Sequence, residues 1–257
     1  MPEAPEVAYL VDQLSQFKGS SLQKLTILKG RYQKHGPPQG YDEFINDFPL
    51  TLMDVQKKGK TLLFYFENDW ILVSKLGLQG WWYSDKKPEW FSGTPNIELR
   101  FNNKTLYYHD PVSYGTLEFT HTFQNALAPE FESVSYKELM NRLSLKKSIL
   151  KKPIGEALMD QHGLVSGIGN YLRAEVLYDA KISPKRLVDS LSTKDWKQFI
   201  ASSKKVFRRQ FKHLNNVETY LSHMKVYGKK EDPLGNPVEM YRTKDKRMVH
   251  WVPSIQR

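Results

Sequence analysis

Cysteine is missing from all 257 residues of this chain. Disulfides are therefore excluded, and so is any zinc or iron–sulfur site ligated by thiolates. Seven histidines are present, but none stands in a tight ligand pair with a carboxylate partner, so no structural metal is expected. Long apolar runs are missing as well: nothing reaches the length of a membrane span, and no secretory segment follows the first methionine. There is no internal repeat and no low-complexity tract. These absences lead us to expect a soluble intracellular protein with no membrane partner. It would be nuclear in a eukaryote, cytoplasmic or nucleoid-associated in a bacterium, and in the host compartment for a virus.

What is present is positive charge, unevenly spread. Residues 1–140 hold 14 Lys+Arg against 17 Asp+Glu, a net of −3, whereas residues 141–257 hold 24 against 11, a net of +13. A near-neutral half joined to a strongly basic half fits a chain whose second half grips a polyanion, with nucleic acid the better match than a merely solvated lysine surface. The length allows one large domain or two smaller ones, and the change of pattern along the chain favours two.

Apolar Val7, Leu10, Val11, Leu14 and Phe17 recur at helical spacing over 3–17. From residue 22 to about 120 the pattern becomes short alternating or apolar runs at 22–28, 61–66, 70–75, 97–101, 105–108 and 116–119, broken by polar or Gly/Pro turns. This predicts a β-rich domain, a sandwich or barrel. From about residue 136 the periodicity is helical, with helices expected at 136–143, 147–160, 169–179, 193–211 and 217–221. Two further strands at 224–227 and 238–241, joined by the turn 231–236, and a last strand at 248–251 after the basic run 242–247, predict a β-hairpin finger on the helical domain. The expected fold class is α+β in two domains, 1–130 and 131–257.

Two stretches carry chemistry. The chain opens Met1-Pro2-Glu3-Ala4-Pro5-Glu6. Proline is small enough for the initiator methionine to be removed. A free N-terminal proline is a secondary amine whose α-amino pKa of about 8 leaves a useful neutral fraction at pH 7. Such an amine can form an iminium with an aldehyde-type carbon such as C1′ of a deoxyribose, and Glu3 is covalently adjacent to move protons. Taken alone, this opening is common and fits an unremarkable tail far better. The second stretch runs from Leu158 to Glu175 and places a helix, a glycine-punctuated turn at Gly167 and Gly169, and a second helix in succession. Glycine admits backbone shapes closed to other residues. The second helix would then present free N–H groups and its positive dipole end, a phosphate site to which Asn170 can add a donor. A plain αα-hairpin with packing glycines is the alternative.

At this point the chain resembles the Fpg/Nei DNA glycosylases, the helix–two-turn–helix glycosylases, along its whole length. "PEAPEV" is similar to the family's N-terminal signature, "KKGKTLLF" (57–64) to its strand–turn–lysine element, and "KLGLQG" (75–80) to its base-stack wedge loop. "LAPEF" (127–131) resembles its interdomain segment, and 158–184 its helix–two-turn–helix. The resemblance implies an N-terminal β-sandwich with helices, then a helix–two-turn–helix at about 147–180 and a finger at about 222–257. It implies a bifunctional DNA glycosylase/AP lyase without cofactor, acting as a monomer on double-stranded DNA with an oxidised base or abasic site. Pro2 would be the Schiff-base nucleophile, Glu3 the proton-transfer group, Glu6 a supporting acid, and Lys60 a cation near the nucleophile and a phosphate. Asn170, with Gly167 and Gly169, and Arg247 would bind DNA. Leu78, Val112 and Tyr114 would occupy the wedge positions, with Val112 standing where members often carry arginine, which implies weaker reading of the opposite base. Val252 and Ile255 stand where zinc-ligand cysteines are expected, so the finger is similar to the zincless, Nei-like branch, which suggests oxidised pyrimidines, and ring-opened or hydantoin purines, as substrates. Two other readings stay open on the residues: a non-catalytic binder of damaged or bent DNA, and a general nucleic-acid-binding protein.

Overall fold

The computed structural model describes residues 2–85, 87–89, 91–214 and 223–257. The chain forms two compact units, one of Pro2 and Glu6–Asn125, the other of Glu3–Pro5 and Ala126–Arg257. Together they are the β-sandwich domain and the helical domain expected from the sequence.

The first unit begins with α1 (Ala4–Leu14), whose Val7, Leu10 and Leu14 are buried at helical spacing; a 3₁₀ turn, Ser15–Phe17, ends it. Then follow β1 (Ser21–Ile27), the short helices α2 (Arg31–His35) and α3 (Tyr41–Asn46), and β2 (Leu50–Lys58), β3 (Thr61–Phe66), β4 (Ile71–Lys75), β5 (Trp81–Ser84), β6 (Ile97–Phe101), β7 (Thr105–His109) and β8 (Thr116–Thr120). The strands are antiparallel in the order β5-β7-β6-β1-β2-β3-β4-β8. The β1–β2 seam is only two residue pairs long, Ser21↔Thr51 and Leu22↔Leu50, and the sheet turns there into two layers. Leu22, Leu25, Leu99 and Leu106 from one layer and Leu52, Val55, Phe64, Leu72 and Leu117 from the other share one core with α1. β3 is buried on both faces because Leu63, with Ile71 and Val73 of β4, forms a second small cluster beneath Tyr65 and Phe123. That accounts for its continuous apolar run.

Four elements of this unit were not foreseen from the sequence. A bulge between Leu52 and Asp54 shifts the inward face of β2 from Leu52 to Val55 and so breaks its alternation. β5 is four residues long, and α2 and α3 are five and six, too short to display a period.

The second unit contains α4 (Tyr136–Leu145), α5 (Ile154–Ala157), α6 (Asn170–Asp179) and α7 (Thr193–His213), then the hairpin β9 (Glu239–Arg242) and β10 (Met248–Trp251). α4 and α7 start at capping boxes, Ser135 with Glu138 and Ser192 with Asp195. The helix expected at 147–160 is broken into a 3₁₀ turn, Lys147–Ile149, and the one-turn α5, with Pro153 at its start. Proline has no N–H to give and forces its predecessor out of helical geometry. The segment expected as a helix at 217–221 lies outside the described residues.

The strand expected at 224–227 is not one. The N–H groups of Lys225, Val226 and Tyr227 converge on the buried carboxylate of Glu175 at 2.8–3.1 Å, so no strand neighbour can receive them. The hairpin partner of β9 is β10, paired from Met248↔Arg242 to Trp251↔Glu239, and residues 243–247 of the basic run form its turn. Val226 and Val252 are fully buried with Ala174 and Tyr178, and Tyr227, Val238 and Ile255 pack against them. Two of these are the valine and isoleucine that stand at the expected cysteine positions. Asp232 ties the preceding loop by accepting from the N–H groups of Leu234 and Asn236 and from the Tyr178 hydroxyl. Among the described residues no group of His, Asp and Glu could hold a metal ion.

Glu175 also accepts from Arg209 at 2.6 Å and is itself 0 % exposed. Replacing Glu175 with Ala leaves a cation and three backbone donors without their acceptor. We expect a stability loss of about 3–5 kcal/mol, measured by urea unfolding.

Candidate functional site

The site is assembled around Glu3, 2 % exposed and grouped with the second unit. The Ala4 N–H donates to the Gly167 carbonyl at 3.1 Å and fixes the chain beside the glycine turn. Glu3 Oε2 then accepts from the N–H groups of Gly169 (2.7 Å) and Leu172 (3.1 Å), and Oε1 from that of Tyr171 (3.0 Å). α6 has no side-chain cap of its own, because Gly169 is its N-cap residue. The Glu3 carboxylate supplies that cap, and an anion facing the positive end of a helix makes charge-assisted bonds.

The two glycines are required here for space. Gly167 has φ of +95°, and a Cβ on it would meet Ala4 Cβ at 2.9 Å and the Phe131 ring at 3.2 Å; a Cβ on Gly169 would collide with the Glu3 carboxylate. This corrects the expectation that the turn offers α6's first N–H groups to a phosphate. Those of Gly169, Tyr171 and Leu172 are already occupied by Glu3.

Asn170, half-buried at the first position of α6, keeps a donor. Its Oδ1 accepts from Arg173 Nη2 at 3.2 Å. A guanidinium only donates, so the amide oxygen must face it and the NH2 group is turned the other way. Arg173 was not anticipated from the sequence. It is 0 % exposed and also donates to the carbonyls of Gly155 (3.0 Å) and Met248 (2.7 Å), joining α6 to α5 and to the finger strand β10. Burial pushes its guanidinium below its ordinary value. The one readable signal was its i+3 spacing from Asn170 on a helix.

Arg247 is exposed at the finger turn. Thr243 closes that turn with its N–H and hydroxyl both donating to the Arg247 carbonyl, and Asp245 pairs with Arg247 Nε at 3.2 Å.

Pro2, Glu6 and Lys60 belong to the first unit. Glu6 lies buried in the first turn of α1. Lys60 is half-buried in the β2–β3 turn, after Gly59 at φ of +55°. Leu78, Val112 and Tyr114 are exposed large apolar side chains at 41, 41 and 65 %. The β4–β5 and β7–β8 loops that carry them touch: a Cβ on Gly77 would meet the Tyr114 carbonyl carbon and the Gly115 nitrogen at 2.6 Å. Asp110 anchors the second loop by accepting the Gly115 N–H at 2.6 Å, and Asn96 holds Asp110 in turn. Arg31 donates to the Gly115 carbonyl at 3.3 Å and, with Lys34 and His35, lines a shallow pocket of about 380 Å³ beside Tyr114. These supports join residues far apart in the chain and were not readable beforehand.

Comparison with known proteins bears on both units. The family model described as the formamidopyrimidine-DNA glycosylase N-terminal domain matches residues 1–117, and the formamidopyrimidine-DNA glycosylase H2TH domain matches 126–219. The chain is 30 % identical over 231 residues to the formamidopyrimidine-DNA glycosylase of Ureaplasma parvum, covering 86 % of this chain and 82 % of that one. It is 27 % identical to the enzyme of Listeria monocytogenes over the whole of both. The fold is that of Lactococcus lactis formamidopyrimidine-DNA glycosylase non-covalently bound to DNA containing an abasic site (TM-score 0.81, 23 % identity, 99 % of both chains). It is equally that of the wild-type Lactococcus lactis protein with DNA containing an oxidised pyrimidine (TM-score 0.83, 22 % identity, 100 % of both chains).

Removing the Glu3 carboxylate would leave three buried N–H donors unsatisfied, each worth about 1–3 kcal/mol. Glu3→Ala should therefore lower the unfolding free energy by at least about 3 kcal/mol, and Glu3→Gln, which keeps one acceptor, by less. Urea denaturation of the two variants beside the parent checks the order.

Proposed function

The chain belongs to the formamidopyrimidine-DNA glycosylase family, and from that premise we propose that it is a bifunctional DNA glycosylase and AP lyase. It would excise oxidised bases from duplex DNA through a Schiff base on Pro2. The observation that carries this reading is the clamp on Glu3. Three backbone donors hold the residue that directly follows the proposed nucleophile, so the reacting end of the chain is a fixed part of the fold rather than a free tail.

The chemistry follows from the groups present. With Met1 removed, the neutral Pro2 nitrogen attacks C1′, the glycosidic C1′–N bond breaks, and the damaged base leaves with its electron pair and takes a proton. The attacking nitrogen gives up its own proton, the C1′–O4′ bond then breaks with O4′ taking a proton, and the nitrogen lone pair closes the C1′=N iminium. An ionised carboxylate only accepts, and it has about four lone-pair sites. Glu3, covalently next to Pro2 and fixed by its backbone donors, is placed to exchange a proton with the deoxyribose. The fixed negative charge beside Pro2 favours the cationic iminium over the neutral reactants. The iminium acidifies the C2′ hydrogens; loss of one breaks the C3′–O bond in β-elimination, and δ-elimination then releases the 5′ phosphate. Lys60 supplies a cation that lowers the basicity of a neighbouring amine and holds a phosphate.

The target nucleotide must leave the stack for C1′ to be reached. Leu78 and Tyr114, exposed on two touching loops, suit the role of wedges, at a cost of a few kcal/mol for unstacking. Asn170 and Arg247 suit phosphate contacts made by side chains, since the N–H groups of Gly169, Tyr171 and Leu172 are given to Glu3. The cysteine-free finger favours oxidised pyrimidines, and an oxidised pyrimidine is what one related solved structure holds. The relatives' names favour ring-opened purines.

Borohydride added to the protein with abasic-site DNA should trap a covalent adduct, and Pro2→Gly should reduce trapping at least tenfold. No adduct with the parent protein would sink the lyase reading, as would an intact Met1 in the mass of the active protein. Val112 offers no hydrogen bond to an orphaned base, so excision of one lesion opposite each of the four bases should differ by less than about tenfold, short of the discrimination of a bidentate contact.

A further inference from the structure

α7 is 21 residues long and carries seven basic residues, Lys194, Lys197, Lys204, Lys205, Arg208, Arg209 and Lys212, against one carboxylate, Asp195. At 3.6 residues per turn, Lys194, Lys197, Ala201, Lys205, Arg208 and Lys212 fall within one stripe about 80° wide. All six are exposed. Trp196, Phe199, Ser203, Val206 and Gln210 form the opposite, buried side, and α7 packs against α6.

The cations divide by use. Arg209 pairs with buried Glu175 at 2.6 Å and Lys205 with Asp179 at 2.8 Å, both acids of α6, so these two serve the fold. Asp195 is taken by the Ser192 cap and by Arg186 at 3.0 Å. Lys194, Lys197, Arg208 and Lys212 make no ion pair among the described residues. Lys194 and Lys197 also lie in the first turns of α7, where a helix favours anions and a cation is destabilising. Helix stability therefore does not account for them.

We infer that this outer stripe of α7 is a second, lesion-independent contact for the DNA backbone, an inference that takes from the proposed function only that DNA is the partner. The stripe spans about 27 Å at 1.5 Å per residue. Over that length a duplex presents about one phosphate charge per 1.7 Å of axis. Ala201 is its only apolar residue, so it lacks the aromatic and aliphatic centre of a protein–protein interface. Flexible lysine stems ending in point charges suit contacts that fix no register and read no base. The stripe lies opposite the buried side of α7, and of its residues only Lys205, at one edge, is paired with an acid of α6. It would hold undamaged DNA while the lesion grip is empty.

The test uses the full-length protein with Lys194, Lys197, Arg208 and Lys212 all changed to Gln, binding an undamaged duplex across a salt series. The slope of log K against log[salt] should become shallower by about 0.9 for each phosphate that the variant no longer neutralises, so by about 1.8 or more for two phosphates. Single-turnover cleavage of saturating abasic-site DNA should stay within twofold. The variant with the three lysines changed to Arg should keep the parental slope, which separates charge from folding. An unchanged slope overturns the inference. So does an unchanged slope together with weakened binding to a poly-glutamate peptide, which would assign the stripe to an acidic protein segment. Because undamaged DNA is the probe, the inference stands or falls separately from the lyase chemistry.

Discussion

The arrangement of the second unit depends on one carboxylate placed at one helix end. Glu3 joins the beginning of the chain to α6 across 166 residues of sequence and supplies the cap that α6 lacks. Several otherwise unrelated features follow from it. Gly169 must be glycine because the carboxylate fills the space of a Cβ, and Gly167 must be glycine because Ala4 and Phe131 crowd its left-handed backbone. Asn170, first in the helix so capped, is turned by Arg173, and Arg173 reaches on to the Met248 carbonyl in the finger. A single chain of hydrogen bonds thus runs from residue 3 through the glycine turn to β10. Such networks have a high cost when partly broken, because each orphaned member sits in a medium of low dielectric constant.

The finger shows the same economy of buried polar groups. A small hairpin with four-residue strands is marginal in water without further support. Here that support is an apolar cluster around Val226 and Val252, the Glu175 carboxylate gathering three successive N–H groups, and Asp232 closing its own turn. Gln256 completes it by accepting from the Val252 N–H and donating to the Ile182 carbonyl. The aliphatic side chains at 252 and 255 are what make this possible. They bury apolar surface at the place where a thiolate would otherwise have required a charge partner.

Elements are legible in the sequence where a local pattern and its tertiary use coincide. The strand at 97–101 and the helices α4 and α7 were visible because spacing defines them. Legibility ends where a distant partner decides. The run at 224–227 has the composition of a strand, yet a carboxylate 50 residues earlier claims its N–H groups. β2 hides behind its bulge, and Pro153 divides what reads as one helix. Glu3 stands out in the sequence only through its neighbour Pro2. That it also caps α6 lies beyond any reading confined to a window of sequence.

That cap changes the electrostatics of the proposed grip on DNA. A helix N-terminus ordinarily recruits phosphate with its free N–H groups and dipole. At α6 an internal anion is already there, so a phosphate brought to the same place would meet repulsion as well as a spent dipole. Under the proposed function, the phosphate contacts near the glycine turn therefore fall chiefly to side chains, the outward amide of Asn170 and cations such as Arg247. Under the same proposal, the negative charge that disfavours phosphate at the helix end would stabilise a cation on the adjacent Pro2. One carboxylate would thus both keep the DNA backbone off the helix axis and favour the iminium that the proposed strand-cleaving chemistry requires.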